Sequence, residues 1–172
     1  MFTRRSMRTS PLTRHVSQIL LFGSSNLCNE IMDARDDATG NVAASAIAEA
    51  IKQIKSLNTV TLYNLIADEG ALVIAEAIKQ SQSLTKVNLH HNSIGTFGVS
   101  VIAEAIGQSH LLTTVDLSYN AIGDEGAVAI IEAVKQNKSL KTVDLDYNGI
   151  SASCSRALAE AIKQTRLVAV DF

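Results

Sequence analysis

The side chains with the most obvious chemical potential are histidines, carboxylates and tyrosines in the second half of the chain. His90 and His91 are adjacent, and with Asp116 they include ligand types that can hold a metal ion. Their spacing, however, matches no metal-binding pattern. No nucleophile with a base, phosphate-binding glycine loop or pair of catalytic carboxylates stands out either. The sequence therefore predicts a protein with no enzymatic activity, no cofactor and no metal site.

Composition narrows the class of protein further. The 172 residues are 47% hydrophobic but only 4% aromatic, and tryptophan is absent, so the core must be aliphatic. The net charge of −2 argues against a nucleic-acid binder. No apolar run approaches the roughly 20 residues that span a bilayer, so no membrane partner is expected. Cys28 and Cys154 form neither a disulfide framework nor a metal motif, which favours a reducing compartment such as the cytoplasm.

Residues 1–25 differ in composition from the rest of the chain. Residues 1–22 contain four arginines and no acid, a charge of +4 that leaves −6 on the other 150 residues. An arginine-rich, serine-rich, acid-free start is typical of a mitochondrial targeting segment; the alternatives are a disordered basic tail or a piece of a larger chain. We predict a disordered basic segment over 1–25 and a domain over 26–172.

A repeat organises that domain. Segments 56–82, 83–110, 111–138 and 139–166 have 27, 28, 28 and 28 residues, and partial copies flank them at both ends. A period of this length is typical of a solenoid. Before the repeats, polar residues 26–40 predict a loop, and apolar spacing predicts a helix from about Asn41 to Lys55.

Each copy has the same internal pattern. It opens with Leu-x-x-Val-x-Leu, as at residues 112–117, which predicts a strand with one buried face. Helical apolar spacing fills the second half. Asp68, Thr96 and Asp124 occupy equivalent positions at the predicted helix starts, where their side chains would cap the helices. Between strand and helix each copy has one asparagine: Asn64, Asn92, Asn120 and Asn148.

The stretch Leu84–Ile94, Leu-Thr-Lys-Val-Asn-Leu-His-His-Asn-Ser-Ile, resembles the leucine-rich repeat pattern, and residues 112–122 and 140–150 repeat it. The continuation Gly-Asp-Glu-Gly-Ala at 123–127 resembles the ribonuclease-inhibitor subtype. Similar repeats occur in the tails of NACHT/NOD-like innate-immune receptors and in Ran GTPase activators. The resemblance covers about 41–172. It implies an α/β solenoid, a horseshoe segment with parallel strands on the concave face and α-helices on the convex face.

This architecture gives the asparagines a role. Stacked between successive turns, their amides can satisfy backbone groups that the loops leave unpaired. Two departures from the pattern carry further expectations. Gly107 replaces a lysine of the other copies and predicts a shorter helix. Cys154 stands where the other copies have glycine, with Ser151 and Ser153 nearby, so the last helix is expected to start differently.

Polar and aromatic side chains form columns on the predicted concave face. Tyrosine beside polar groups suits a protein interface, because it adds contact area at small entropic cost. Acidity rises towards the C-terminal end, which predicts a partner with a basic surface; the alternative is that these are ordinary residues of the repeat pattern. The predicted partner-binding residues are Thr61, Tyr63, Asn88, His90, His91, Asp116, Ser118, Tyr119, Asp144, Asp146 and Tyr147.

The leading hypothesis is a non-enzymatic protein–protein interaction module that binds its partner on the concave strand face. Two alternatives stay open at this point: a regulator of an enzyme, such as a small-GTPase activator, or a fragment of a larger immune-receptor-like or scaffold protein. The sequence stops inside a predicted strand, so Val170 and Phe172 would lie at an open sheet edge. We therefore expect self-association through that edge if Phe172 is the true terminus.

Overall fold

Strands and helices alternate along the chain in one continuous array. The computed structural model describes residues 30–35, 41–63, 66–163, 165 and 169–171. The six strands form one parallel sheet in sequence order, which confirms the predicted α/β solenoid with parallel strands. The elements are β1 (Glu30–Arg35), α1 (Asn41–Gln53), β2 (Leu57–Tyr63), α2 (Asp68–Gln80), β3 (Lys86–Asn88), α3 (Thr96–Gln108), β4 (Thr114–Asp116), α4 (Gly123–Gln136), β5 (Thr142–Asp144), α5 (Ala152–Ile162) and β6 (Ala169–Asp171).

The strands have two unlike faces, as the Leu-x-x-Val-x-Leu pattern predicts. In β2, Val60 and Leu62 are fully buried, whereas Thr61 and Tyr63 between and after them stay partly exposed. The valine and leucine of each later repeat are buried in the same way and join the aliphatic helix residues in a single core. The other face, which we call the open face, carries Thr61 and its equivalents in the following strands.

The first strand was not predicted. Residues 26–40 read as a polar loop, but Glu30–Arg35 forms β1 and pairs in parallel with β2. The register sets Met32 opposite Val60 and Ala34 opposite Leu62, so β1 occupies a repeat position although its sequence lacks the repeat pattern. The prediction was wrong because the strand is defined by backbone pairing with a neighbour, which a local polar composition does not report.

The helices pack closely because small residues line the contacts between them and the turns that precede them. A Cβ atom added at Gly126 would meet Ile122 Cγ2 and Val99 Cγ1 at 2.5 Å each, and one at Gly70 would meet Ile66 Cβ at 2.7 Å. Such distances leave no space for a methyl group. The glycines of the repeat therefore mark positions where the helix start touches its own turn and, at Gly126, the preceding helix.

The asparagine column behaves as predicted. Asn120 Nδ2 donates to the carbonyls of Leu89 and Leu117, at 2.9 Å each, and its Oδ1 accepts from the Ile94 backbone N–H at 3.1 Å. Asn92 makes the equivalent bonds one repeat earlier. Asn148 donates in the same way to the carbonyls of Leu117 and Leu145, but its Oδ1 accepts from the backbone N–H of Asn120 at 3.1 Å. Each amide thus joins two successive repeats through backbone groups that have no strand or helix partner. Asn64 lies outside the described residues.

The predicted helix caps at Asp68, Thr96 and Asp124 were wrong. The actual N-cap residues of these three helices are Ala67, Gly95 and Ile122, and none of them makes a side-chain hydrogen bond to its helix. The three polar side chains lie within the first helical turn and reach the next repeat instead: Asp68 Oδ1 accepts from Gly95 N (2.7 Å), Thr96 Oγ1 donates to the Ile122 carbonyl (3.0 Å), and Asp124 Oδ1 accepts from Ser151 N (2.7 Å). They act as inter-repeat links.

The two departures from the repeat have different outcomes. Gly107 does not shorten its helix, since α2 and α3 both have 13 residues. One half-buried glycine near a helix end costs less than the packing of that helix against both neighbours gains. The last helix does start differently: Ser151 is its N-cap, and its hydroxyl accepts from the Cys154 N–H at 3.2 Å. Only Leu158 of this helix is fully buried.

Several expectations fall outside the described part of the chain. They concern residues 1–25, Cys28, the side chain of Val170 and Phe172. Strand β6 pairs with β5 through Ala169–Asp171, and self-association through that end stays a prediction. In the ranges that the structure describes, no helix has the length and apolar character needed to cross a membrane.

Candidate protein-binding surface

The polar column predicted on the strands exists as a continuous row on the open face. The register pairs Thr61 with Asn88, Asn88 with Asp116, Asp116 with Asp144, and Asp144 with Asp171. Neighbouring strands lie about 4.8 Å apart, so the three carboxylates at the C-terminal end of the row are immediate neighbours. Sequence spacing places Thr61, Asn88, Asp116 and Asp144 in one column, and the strand pairing agrees; Asp171 extends the row beyond that prediction.

Most residues of this row also have a local structural role. Asn88 Oδ1 accepts from His90 N at 3.0 Å, Asp116 Oδ1 from Ser118 N at 3.0 Å. Asp144 Oδ1 accepts from Asp146 N at 2.9 Å in the same manner. Each side chain closes the turn that follows its strand, an ordinary use of Asn and Asp. Asparagine and aspartate are therefore interchangeable in this turn, and the choice of aspartate at 116 and 144 has no explanation in the turn itself.

Ser118 is placed differently from the other predicted contact residues. It is only 7% exposed, and its hydroxyl donates to Asp116 Oδ1 at 2.7 Å. The side chain completes the turn beneath the surface and offers no free group to a partner. Among the predicted contact residues it is the one that supports the surface from below.

Four aromatic residues at equivalent positions form a ladder along the open face. The ring of Tyr63 lies 5.2 Å from that of His91, His91 stacks on Tyr119 at 4.1 Å and 10°, and Tyr119 stacks on Tyr147 at 4.3 Å and 16°. We call this set the aromatic ladder. Exposure rises along it to 41% at Tyr119 and 70% at Tyr147. Such offset stacks contribute about 0.5 to 1.5 kcal/mol per pair.

Three members of the ladder have an unusual backbone. His91, Tyr119 and Tyr147 have φ values of 51°, 55° and 56°, in the left-handed region that favours glycine or asparagine. A bulky side chain there costs of order 1 kcal/mol, and such positions cluster where the side chain itself has a function. The turn of each repeat demands this conformation, but it does not demand an aromatic residue.

Negative charge accumulates beside the aromatic ladder. Burial, and then the carboxylates of Asp116, Asp146 and Asp171, raise the pKa of Asp144, against the opposing effect of the hydrogen bond from Asp146 N. Burial also raises the pKa of Tyr119, helped by the hydroxyl of Tyr147 and the nearby aspartates. In both groups, desolvation and the neighbouring acidic groups disfavour the ionised form.

The histidines lie at the less acidic end of the ladder. Strand β3 ends at Asn88, so both rings project from the turn, and they meet edge to face at 5.5 Å. His90 Nδ1 contacts Asn88 Oδ1 and lies 4.0 Å from Asp116 Oδ2, while its ring packs 4.9 Å from Tyr63. Within the described ranges no three His, Cys, Asp or Glu residues gather as metal ligands would.

Similarity to known proteins agrees with this architecture. The leucine-rich repeat family matches residues 80–103, 108–130 and 136–153. This match shows leucine-rich repeats at those residues, and the parallel strand–helix array has the architecture that such repeats form. The ribonuclease-inhibitor subtype stays a prediction. No curated protein matches the chain.

Solved structures share the fold at low sequence identity. Leiomodin-1 actin-binding site 2 superposes with a TM-score of 0.74 at 18% identity, covering 91% of this chain and 90% of that one. The tropomodulin C-terminal domain from Caenorhabditis elegans gives 0.70 at 17% identity, covering 88% and 92%. A Bacteroides fragilis protein gives 0.56 at 18% identity, covering 83% and 42%. At these identities the likeness establishes the fold alone.

Proposed function

We propose that this protein is a non-enzymatic interaction module that binds a protein partner on the open face of its sheet. The observation that carries the proposal is the aromatic ladder. Three of its members occupy left-handed backbone positions that glycine would fill with less strain, and exposure increases along the stack to Tyr147. A folded chain that needed only the turn would have no reason to place aromatic rings there.

The ladder also has the physical properties of a contact surface. Tyrosine combines a large rigid ring with a polar hydroxyl, and it is enriched in protein interfaces for that reason. Stacking fixes the rings before a partner arrives, so little side-chain freedom remains to be lost on binding. The parallel strands hold the row of polar side chains beside them in register.

The proposal is tested by capture of partners with matched variants. Three proteins are immobilised and exposed to a cell extract. They are the native chain, a double variant that combines Tyr119→Ala with Asp144→Asn, and the single variant Phe97→Ala. Phe97 is 65% exposed on helix α3, so its removal deletes an aromatic ring that is more exposed than Tyr119, at 41%, on a different surface. We expect the native chain and Phe97→Ala to retain the same proteins and the double variant to lose them. Equal retention by the double variant would show that the open face is not the binding surface.

Actin is the first individual partner to test, because one of the structures that share this fold is actin-binding site 2 of leiomodin-1. Co-sedimentation with actin filaments, and capture of monomeric actin, would reveal binding directly. Regulation of a small GTPase is the competing functional hypothesis. Single-turnover GTP hydrolysis with and without the chain decides it, since an activator must accelerate the reaction.

We further propose a cytoplasmic location, with a mitochondrial one as the alternative raised by residues 1–25. Cys154 carries no disulfide in the described structure, in keeping with a reducing compartment. A fluorescent fusion of the full chain, compared with one lacking residues 1–25, distinguishes the two. Mitochondrial signal that depends on that segment would support the alternative.

A further inference from the structure

Among the described residues, no lysine or arginine pairs with the carboxylates beside the aromatic ladder. In the described ranges, the Lys–Glu pairs lie on the helices, at Lys79–Glu104, Glu132–Lys135 and Glu160–Lys163. On the part of the open face that the structure describes, the basic group within 4.0 Å of a carboxylate is His90, at 4.0 Å from Asp116. The C-terminal half of that face therefore presents uncompensated negative charge to solvent.

The same carboxylates have capacity left for a ligand. Asp144 uses Oδ1 to accept from the Asp146 N–H, and its Oδ2 has no partner among the described residues. The carboxylate of Asp146 accepts no hydrogen bond from the described part of the chain, and its side chain is partly exposed. Two acceptor groups thus stand close to the rings of Tyr119 and Tyr147, near enough for both carboxylates to affect the ionisation of Tyr119.

A planar cation fits this combination of groups better than any other ligand. The guanidinium of arginine can stack on an aromatic ring while its N–H groups bind carboxylate oxygens in a fork. A lysine ammonium makes the charge contact but neither the fork nor the stack. Nucleic acid and other polyanions are repelled by the same carboxylates.

We propose that the C-terminal half of the open face docks an extended, arginine-bearing segment of a protein partner. One guanidinium stacks on the outer face of the Tyr147 ring, because both faces of Tyr119 are covered by His91 and Tyr147. The guanidinium groups bind the carboxylates of Asp144 and Asp146. This inference rests on the proposed function and adds the chemistry of the partner to it. The carboxylates supply charge complementarity, and the rings supply the shape that selects arginine over lysine.

The alternation of side chains in an extended peptide suggests the sequence of that segment. Neighbouring strands of the sheet lie about 4.8 Å apart, and an extended peptide places every second side chain on one side at about 6.8 Å intervals. A segment that crosses the strands therefore presents arginines to the face when they occur at alternate positions.

The test measures binding of short synthetic peptides to the full chain by fluorescence anisotropy. One peptide has arginine at alternate positions with serine between; matched peptides carry lysine or glutamate instead. We expect the arginine peptide to bind several-fold more tightly than the lysine peptide and the glutamate peptide not to bind. The double variant Asp144→Asn with Asp146→Asn should bind the arginine peptide about tenfold more weakly. The variant Tyr147→Ala should show a smaller preference for the arginine peptide over the lysine peptide.

Two controls separate this site from general attraction to an acidic protein. Asparagine already closes the equivalent turn at Asn88, so Asp144→Asn leaves the fold intact. Glu69→Gln with Glu125→Gln removes the same charge from exposed positions on helices α2 and α4. The proposal is overturned if the helix variant weakens binding of the arginine peptide as much as the Asp144/Asp146 variant does. It is also overturned if the arginine peptide does not bind at all. If that peptide fails while cellular partners are still lost from Tyr119→Ala with Asp144→Asn, the open face remains the binding surface but its ligand is not arginine.

Discussion

Asp144 has two opposing effects on the folded state: its hydrogen bond closes a turn, but its ionised carboxylate is disfavoured by its surroundings. Its Oδ1 closes the turn after β5, yet burial and three neighbouring aspartates raise its pKa. A carboxyl whose pKa is higher in the folded state binds protons more tightly when folded. Its contribution to stability is therefore fully present below the unfolded pKa near 3.9 and falls as pH rises through the folded pKa.

From this we expect Asp144→Asn to be more stable than the native chain at neutral pH, with the difference disappearing under acidic conditions. The asparagine keeps the bond to Asp146 N, as Asn88 does for His90 N. Thermal unfolding at several pH values measures the difference. Glu125→Gln, which alters an exposed helix carboxylate, is the control and should show little change. A destabilised Asp144→Asn at neutral pH would contradict the electrostatic account.

Asn120 has the opposite character, since its whole side chain is committed to the fold. It donates to three backbone carbonyls and accepts from one backbone N–H across two repeats. We expect Asn120→Ala to lower the free energy of unfolding by about 2 to 4 kcal/mol, because those groups lose their partners on replacement. Asn120→Asp should be similarly damaging, because a carboxylate cannot donate. Chemical denaturation measures both, and the loop variant Gln82→Ala should match the native protein.

At the scale of the elements, two glycines in helices have opposite roles. Gly126 lies in the first turn of α4 against Ile122 and Val99, where an added Cβ has no space, whereas the nearest atom to a Cβ at Gly107 lies 3.8 Å away. We expect Gly126→Ala to destabilise the protein by about 1 to 3 kcal/mol through overpacking. Gly107→Ala should stabilise it by about 0.5 to 1 kcal/mol, because alanine is the better helix former. Calorimetry compares them, and equal effects of one sign would refute the packing argument.

The elements also show what sequence patterns can and cannot reveal. Strands, helices and the asparagine column followed from the repeat, because each depends on a period that the sequence displays. Strand β1 did not, because its evidence is pairing with β2. The capping interpretation of Asp68 and Asp124 failed for a related reason: the spacing fits a cap, but the bond partner lies one repeat further on.

For the molecule as a whole, the repeat made the fold predictable and the surface only partly so. The columns of Asn88, Asp116 and Asp144 and of Tyr63, His91, Tyr119 and Tyr147 were predicted from equal spacing. The left-handed backbone under the rings and their mutual stacking were not, because both arise from the turn geometry in three dimensions. The signal that could have revealed them is the aromatic or histidine residue directly before the asparagine in each later repeat.

The central claim is that the aromatic ladder serves to bind a partner, although glycine would fit the left-handed backbone of three of its members with less strain. The variant Tyr147→Gly separates these two properties. Glycine relieves the left-handed strain but loses the stack on Tyr119, so the free energy of unfolding should change by no more than about 1 kcal/mol. The decisive measurement is the affinity of this variant, by calorimetric titration, for a partner captured by the native chain. We predict at least about tenfold weaker binding with the fold intact; unchanged affinity would contradict the account.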